Sequence, residues 1–207
     1  MYPIQFDVTE TEQRNKMTVL FRIFMVIPHI IFLYIYQIGN AFVTLGQWFS
    51  IVFTGKRNKG LFEFSANYSR YLANVASYMA LLHDKFPAFG ADDPASPVRF
   101  EARYTEQANR LTTFFRYFTA IPAAIIIFFY LVAAEVLMIV SWFAIVITGR
   151  QPTGMFQFIR KAMRFTVAFQ GYALLLTDEY PWPAVAAAEP SFRGGPSAPE
   201  ETAPWKA

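Results

Sequence analysis

Apolar and polar positions follow a pattern that occurs twice. It opens on strict alternation, Ile4, Phe6 and Val8 against Gln5 and Asp7, then again Val98, Phe100 and Ala102 against Arg99 and Glu101. A period of two predicts a short half-buried strand at each place. A long apolar stretch follows. Ile23 to Gly55 holds 33 residues without an Asp, Glu, Lys or Arg, and Tyr117 to Gly149 is broken only by Glu135. Turn signals end both stretches, Gly55–Gly60 and Gly149–Gly154. Leu61–Leu82 and Met155–Leu176 then carry spaced polar residues, among them Arg70 and Asn74 in one and Arg160, Lys161 and Arg164 in the other. That spacing predicts amphipathic helices. Thr9-Glu10-Thr11-Glu12 fits a capping box and predicts a helix start there.

The two passages stand in register at a constant offset of 94, without a gap. Phe21-Arg22 recurs as Phe115-Arg116, Ile27-Pro28 as Ile121-Pro122, and Trp48-Phe49 as Trp142-Phe143. Thr54-Gly55-Lys56 recurs as Thr148-Gly149-Arg150, and Leu81-Leu82-His83-Asp84 as Leu175-Leu176-Thr177-Asp178. The chain is therefore two copies of one unit. Repeat 1 spans 1–93 and repeat 2 spans 97–183. A Pro/Gly-rich tail without periodicity, 184–207, follows.

Each apolar stretch is too long for one membrane crossing, which takes roughly 20 residues. Arg14, Lys16 and Arg22 precede the first and Lys56, Arg57 and Lys59 follow it; Arg110 and Arg116 precede the second and Arg150, Arg160, Lys161 and Arg164 follow it. A helical hairpin keeps every cluster on one face, as the positive-inside bias demands. The expected fold is thus an all-α integral membrane protein of two tandem repeats, each with a short strand, an apolar helical hairpin and an interfacial amphipathic helix. The hairpins cover 17–54 and 111–148, reversing near Gln37–Asn40 and Leu131–Glu135. The amphipathic helices cover 60–82 and 154–176. A third crossing by Leu61–Leu82 is the rival, opposed by Glu63 and Arg70.

Composition narrows the function. The chain has 207 residues, 55% hydrophobic and 18% aromatic, with 16% charged against the ~25% usual for a soluble domain. Met1–Lys16 has no apolar core or cleavage site of the secretory type. There is no Cys and only two His, and no phosphate loop, dinucleotide fingerprint, zinc pattern or Ser-His-Asp set is present. No enzymatic activity, no cofactor, no metal and no nucleic-acid partner is expected.

The series Ile27-Pro28-His29, Trp48-Phe49, Thr54-Gly55-Lys56, Gly60-Leu61-Phe62-Glu63-Phe64 and Leu81-Leu82-His83-Asp84-Lys85-Phe86-Pro87 resembles the bacterial family filed as domain of unknown function 4389. The second copy resembles it too, with Ala123 at the expected His, and the first departs at His83, where Thr is usual. The resemblance implies an integral membrane protein, often of duplicated units, and carries no established activity.

His29 is a candidate haem or pigment ligand, or a ring that fills the space beside Pro28. Glu135 falls at the expected second turn and reads as a loop-end carboxylate in water; the alternative is the mark of a proton or ion path. Arg22, Arg116, Arg70, Arg164, Arg160 and Lys161, with Trp48 and Trp142, are candidates for binding lipid phosphate or partner helices; the alternative for the arginines is snorkelling that fixes helix depth. Pro28 and Pro122 are expected to kink their helices, Gly55 and Gly149 to end them, and Asp84 and Asp178 to shape turns by bonding local amides. The functional expectation is a non-enzymatic accessory or scaffold subunit of a larger complex in the bacterial cytoplasmic membrane. It would be multi-pass, with both termini cytoplasmic and with membrane lipids and other integral membrane proteins as partners. A small transporter or channel component is the alternative.

Overall fold

The computed structural model describes residues 2–9, 14–90, 93, 95–183, 190 and 192, so the expected tail falls almost wholly outside the described residues. The elements run β1 (Ile4–Val8), α1 (Lys16–Thr54), α2 (Lys59–Met79), β2 (Val98–Ala102), α3 (Arg110–Phe114), α4 (Arg116–Thr148) and α5 (Thr153–Ala173). The chain is mostly helical, in two copies, and α1 and α4 are each long and apolar enough to cross a membrane. Residues 10–13 of the expected capping region lie outside the described residues. The cap of α1 is Asn15, whose side chain accepts from the Met17 and Thr18 amides.

The expected hairpins within 17–54 and 111–148 are absent. α1 is one helix of 39 residues, about 58 Å at ~1.5 Å per residue, and α4 one of 33, about 50 Å. A reversal at Gln37–Asn40 would leave several backbone amides and carbonyls unbonded where few side chains could take them. Leu131–Glu135 is a run of residues that favour a helix or tolerate it, without Gly or Pro. Pro28 and Pro122 lie inside continuous helices. The chain reverses at Gly55 and Gly149 instead, left-handed C-caps with φ of 74° and 79° that glycine adopts without strain. The helical hairpins are therefore α1 with α2 and α4 with α5. Val26 packs with Tyr71, Val75 and Tyr78, and the rings of Tyr36 and Tyr68 meet at 5.2 Å. α2 begins at Lys59 and ends at Met79, and α5 runs from Thr153 to Ala173, each stopping a few residues short of the expected amphipathic span.

The repeats interlock. β1 and β2 pair antiparallel, with Phe6 opposite Phe100. These are each other's counterparts at the offset of 94, so the pseudo-two-fold axis passes through this pair. β1, from the first copy, lies against α5 of the second: Tyr2 Oη donates to the Ala168 carbonyl at 3.3 Å, and a Cβ at Gly171 would come within 2.7 Å of Ile4 Cγ1. Asp7 pairs with Arg164 at 2.7 Å. β2 packs on α2 in the same sense. The shared core joins Phe6 and Phe100 to Phe62, Phe156, Ile127 and Phe165.

The long helices run in opposite directions, the start of each at the end of the other. The Arg14 amide donates to the Gly149 carbonyl at 3.1 Å, Trp142 Nε1 to the Val19 carbonyl at 3.2 Å, and the Ala108 amide to the Gly55 carbonyl at 2.9 Å. Contacts pass from the ribbon to α2 and α5, and from these to α1 and α4.

Candidate functional site

Each repeat closes on an arginine knot. Arg22, in the second turn of α1, and Arg116, the first residue of α4, reach the carboxyl ends of α2 and α5. There they donate to the Tyr78 and Tyr172 carbonyls and lie over those residues' rings at 4.3 and 4.4 Å. A cation at a helix C-terminus meets the negative end of the helix dipole. Asp84 takes Arg22 at 2.7 Å, and Asp178 takes both Arg116 at 2.6 Å and Arg57 at 2.7 Å. The second carboxylate oxygens accept the Asn15 and Asn109 amides, 69 residues away in each case. Asp84 and Asp178 thus tie each closing turn back to the start of the same repeat's first helix rather than bonding local amides. The turns carry Leu81 and Leu175 at φ of 61° and 64°, the same non-glycine left-handed conformation in both copies.

This geometry removes Arg22 and Arg116 from the lipid-binding candidates. Their exposures are 3% and 1%, and carboxylates and carbonyls already hold them. Arg164 is likewise buried against Asp7. Arg160 contacts Asp7 and Gln157, Arg70 bonds Asn67 from a half-buried place, and Lys161 alone of this group stands fully exposed. The sequence pointed to none of the work of Arg14 and Arg57. Arg14 donates to the Leu82 carbonyl at 2.9 Å, and Arg57 Nε to the Leu175 carbonyl at 2.9 Å. Neither has an arginine counterpart in the other copy, where Ala108 and Gln151 stand.

α1 is polar inside and apolar outside. Its buried residues are Val19, Arg22, Val26, His29, Asn40, Gln47 and Ile51, spaced by threes, fours and their sums, while Phe24, Tyr34, Ile35, Phe42 and Phe53 are exposed. The signal that could have revealed this stripe is the helical spacing of polar residues inside an apolar run, which the expected turn at Gln37–Asn40 interrupted. In α4 the same positions read Arg116, Ala123, Ala134, Ser141 and Ile145. Only the first repeat therefore buries His29, Asn40 and Gln47. His29 Nδ1 lies 2.6 Å from Tyr71 Oη, and its ring stacks on Phe89 at 4.2 Å, with Phe86 edge-on at 4.7 Å. The ring thus packs among side chains of α2 and the closing turn, and its Nδ1 meets a hydroxyl rather than a carbonyl freed by Pro28. Asn40 Oδ1 and Nδ2, Gln47 Nε2 and Ser69 Oγ have no hydrogen-bond partner among the described residues.

Two grooves, related by the pseudo-two-fold, lie where the start of one long helix passes the second half of the other. The first, about 510 Å³, is lined by Ile23, Val26, Met79, Met138, Trp142 and Met163, with Glu135 in its wall and Arg22 at its floor. The second, about 580 Å³, has Tyr117, Leu174, Ala41, Thr44 and Trp48. Trp48 and Trp142 line the second and first grooves respectively, and Trp142 also donates to the Val19 carbonyl. Glu135 stands in mid-helix, not at a turn, because no turn exists there.

His83 is enclosed outside the long helices, Nδ1 3.0 Å from the Lys85 carbonyl and Nε2 3.3 Å from the Asn74 carbonyl. Burial pushes its pKa down to about 4, so near neutral pH the ring is uncharged and donates to one of the two carbonyls. Its counterpart Thr177 instead accepts the Glu179 amide.

No curated protein and no solved structure matches the chain. The family model described as Domain of unknown function (DUF4389) matches twice, at residues 16–90 and 110–185. These spans coincide with the two interlocked helical hairpins and their closing turns, and the chain belongs to that family, in two tandem copies.

Proposed function

We propose that this chain is a membrane-embedded scaffold whose long helices lie along the bilayer plane, in one leaflet, and offer their apolar faces to acyl chains and to partner helices. The position of the ribbon carries this reading. β1 meets α5 at Arg164, Ala168 and Gly171, and α5 lies along α4, so the ribbon sits over the middle of the long helices rather than at their ends. A helix axis set along the membrane normal would place Asp7, Arg99, Glu101 and Arg164 at mid-bilayer, where each charge costs several kcal/mol (~2.5–3.5 on insertion scales). With the axis in plane, the layers follow the polarity gradient of an interface: apolar α1 and α4, mixed α2 and α5, charged ribbon.

The outward side chains support the same placement. Phe24, Phe42, Phe53, Phe118 and Phe129 are among many large apolar residues left exposed, far beyond the apolar patches of a soluble monomer. The in-plane arrangement also gathers Lys56, Lys59, Arg110, Arg150 and Lys161 at one interface, where cations attract anionic lipid at about 1 kcal/mol each. No element then crosses the bilayer, which favours the scaffold over a transporter or channel.

Two measurements test this reading. Alkaline carbonate washing of membranes should leave the chain in the pellet; release into the supernatant contradicts embedding. Isolation in mild detergent should bring down other integral membrane proteins at constant ratio, and a lone monomer in every detergent contradicts the scaffold.

A further inference from the structure

The two grooves share their backbone and differ in charge. The first has Glu135 where the second has Ala41. Glu135 is the only acidic residue of α4 and stands exposed beside apolar neighbours, and it has no hydrogen bond or ion pair among the described residues. The other charge in this groove, Arg22, is matched by Asp84 at 2.7 Å. What remains is one unmatched carboxylate in an apolar wall. Such a group in a membrane segment is costly to keep and marks a site by default.

We propose that the Glu135 groove binds a lipophilic organic cation, reached through the bilayer, with its apolar body among the groove residues and its positive centre at Glu135. The volume, about 510 Å³, lies in the range of small-molecule pockets, roughly 300–1,000 Å³. Met79, Met138 and Met163 give the wall an unbranched, polarisable surface that adapts to ligand shape. Trp142 adds an aromatic face that a cation can approach. The twin groove, with Ala41 and Thr44 in place of Glu135 and Met138, has the shape without the charge. The site goes beyond the scaffold reading and rests only on its membrane placement; the two failures are distinguishable, because binding is measured on detergent-solubilised protein whatever the outcome of carbonate washing.

Equilibrium dialysis of the full chain in neutral detergent with labelled tetraphenylphosphonium tests the site. The expected result is one ion bound per chain, with Glu135→Gln weakening binding at least tenfold. Glu135 is exposed, so its amide should leave helix content unchanged by circular dichroism. Ile23→Trp, at an exposed position of the groove lining, fills the groove and keeps the carboxylate, and should also abolish binding. Equal binding by wild type and Glu135→Gln, or equal binding of neutral triphenylphosphine oxide, overturns the proposal. So does no binding to wild type, and cross-linking of Glu135 to a lysine-bearing helix would then assign the groove to a protein partner.

Discussion

In the first repeat the seam between α1 and α2 encloses His29, Asn40 and Gln47 with Tyr68, Ser69 and Tyr71; in the second the same positions are Ala123, Ala134 and Ser141 with Ala162, Met163 and Phe165. The backbones nevertheless agree, with the same glycine caps, the same left-handed leucines and the same arginine on the same carbonyl. The frame therefore rests on the closing turns and the knots, and the seam is free to vary in polarity. Charge is distributed the other way in the grooves, where the second repeat supplies Glu135 and the first supplies Ala41.

The largest expected difference between the repeats lies in the knots. Asp178 holds two guanidinium groups and Asp84 is ion-paired to one. Asp178→Ala leaves Arg57 and Arg116 buried together and should cost about 3–5 kcal/mol, the range for breaking a buried pair. Asp84→Ala should cost less. Thermal unfolding in detergent ranks them, and equal losses break the comparison.

The histidine turn gives a pH dependence that the threonine turn lacks. His83 has a folded pKa of about 4 against the usual ~6.5, so the unfolded chain binds more protons between these values and stability falls as pH drops. The loss begins below about pH 6.5 and levels off below pH 4, reaching about 3 kcal/mol in full. His83→Thr, the residue at Thr177, should flatten denaturation curves over that window. An unchanged slope contradicts the assignment.

Exchanging seam residues should act in opposite directions. Ala134→Asn places an amide in a 4% exposed apolar site and should cost about 1–3 kcal/mol. Asn40→Ala removes two unpartnered polar atoms and should cost nothing or stabilise by about 1 kcal/mol. Chemical denaturation of both variants checks the sign. The smallest effect should be shared: Gly55→Ala and Gly149→Ala each put a Cβ on a positive-φ cap and should cost about 1 kcal/mol, equally in both copies.

Much of this frame was legible in the sequence. The strands, the duplication, the glycine caps and the second helices all follow from local periodicity and turn chemistry. The hairpins did not, because positive-inside reasoning counts charge at segment ends and assumes that a long apolar stretch must cross. A helix lying in plane keeps all its cations on one face without any reversal. The burial of Arg22 and Arg116 was also hidden, since their partners Asp84 and Asp178 lie 62 residues away and meet them only through the fold. For the same reason Arg14 and Arg57, which lack twins, gave no signal. The inward polar stripe of His29, Asn40 and Gln47 carried a helical spacing, but the expected reversal at Gln37–Asn40 cut through it and hid it.

The in-plane placement of α1 is tested most directly by depth. The chain has no Cys, so single spin labels at Phe24, Ile31, Ile38, Phe42, Phe49 and Phe53 can be read in vesicles with oxygen and a water-soluble nickel complex. The account predicts similar depth along the whole helix, with high oxygen and low nickel accessibility at every outward position. A depth profile that rises to a maximum near Ile38 and falls again toward both ends would mean that α1 crosses the bilayer, and would contradict it.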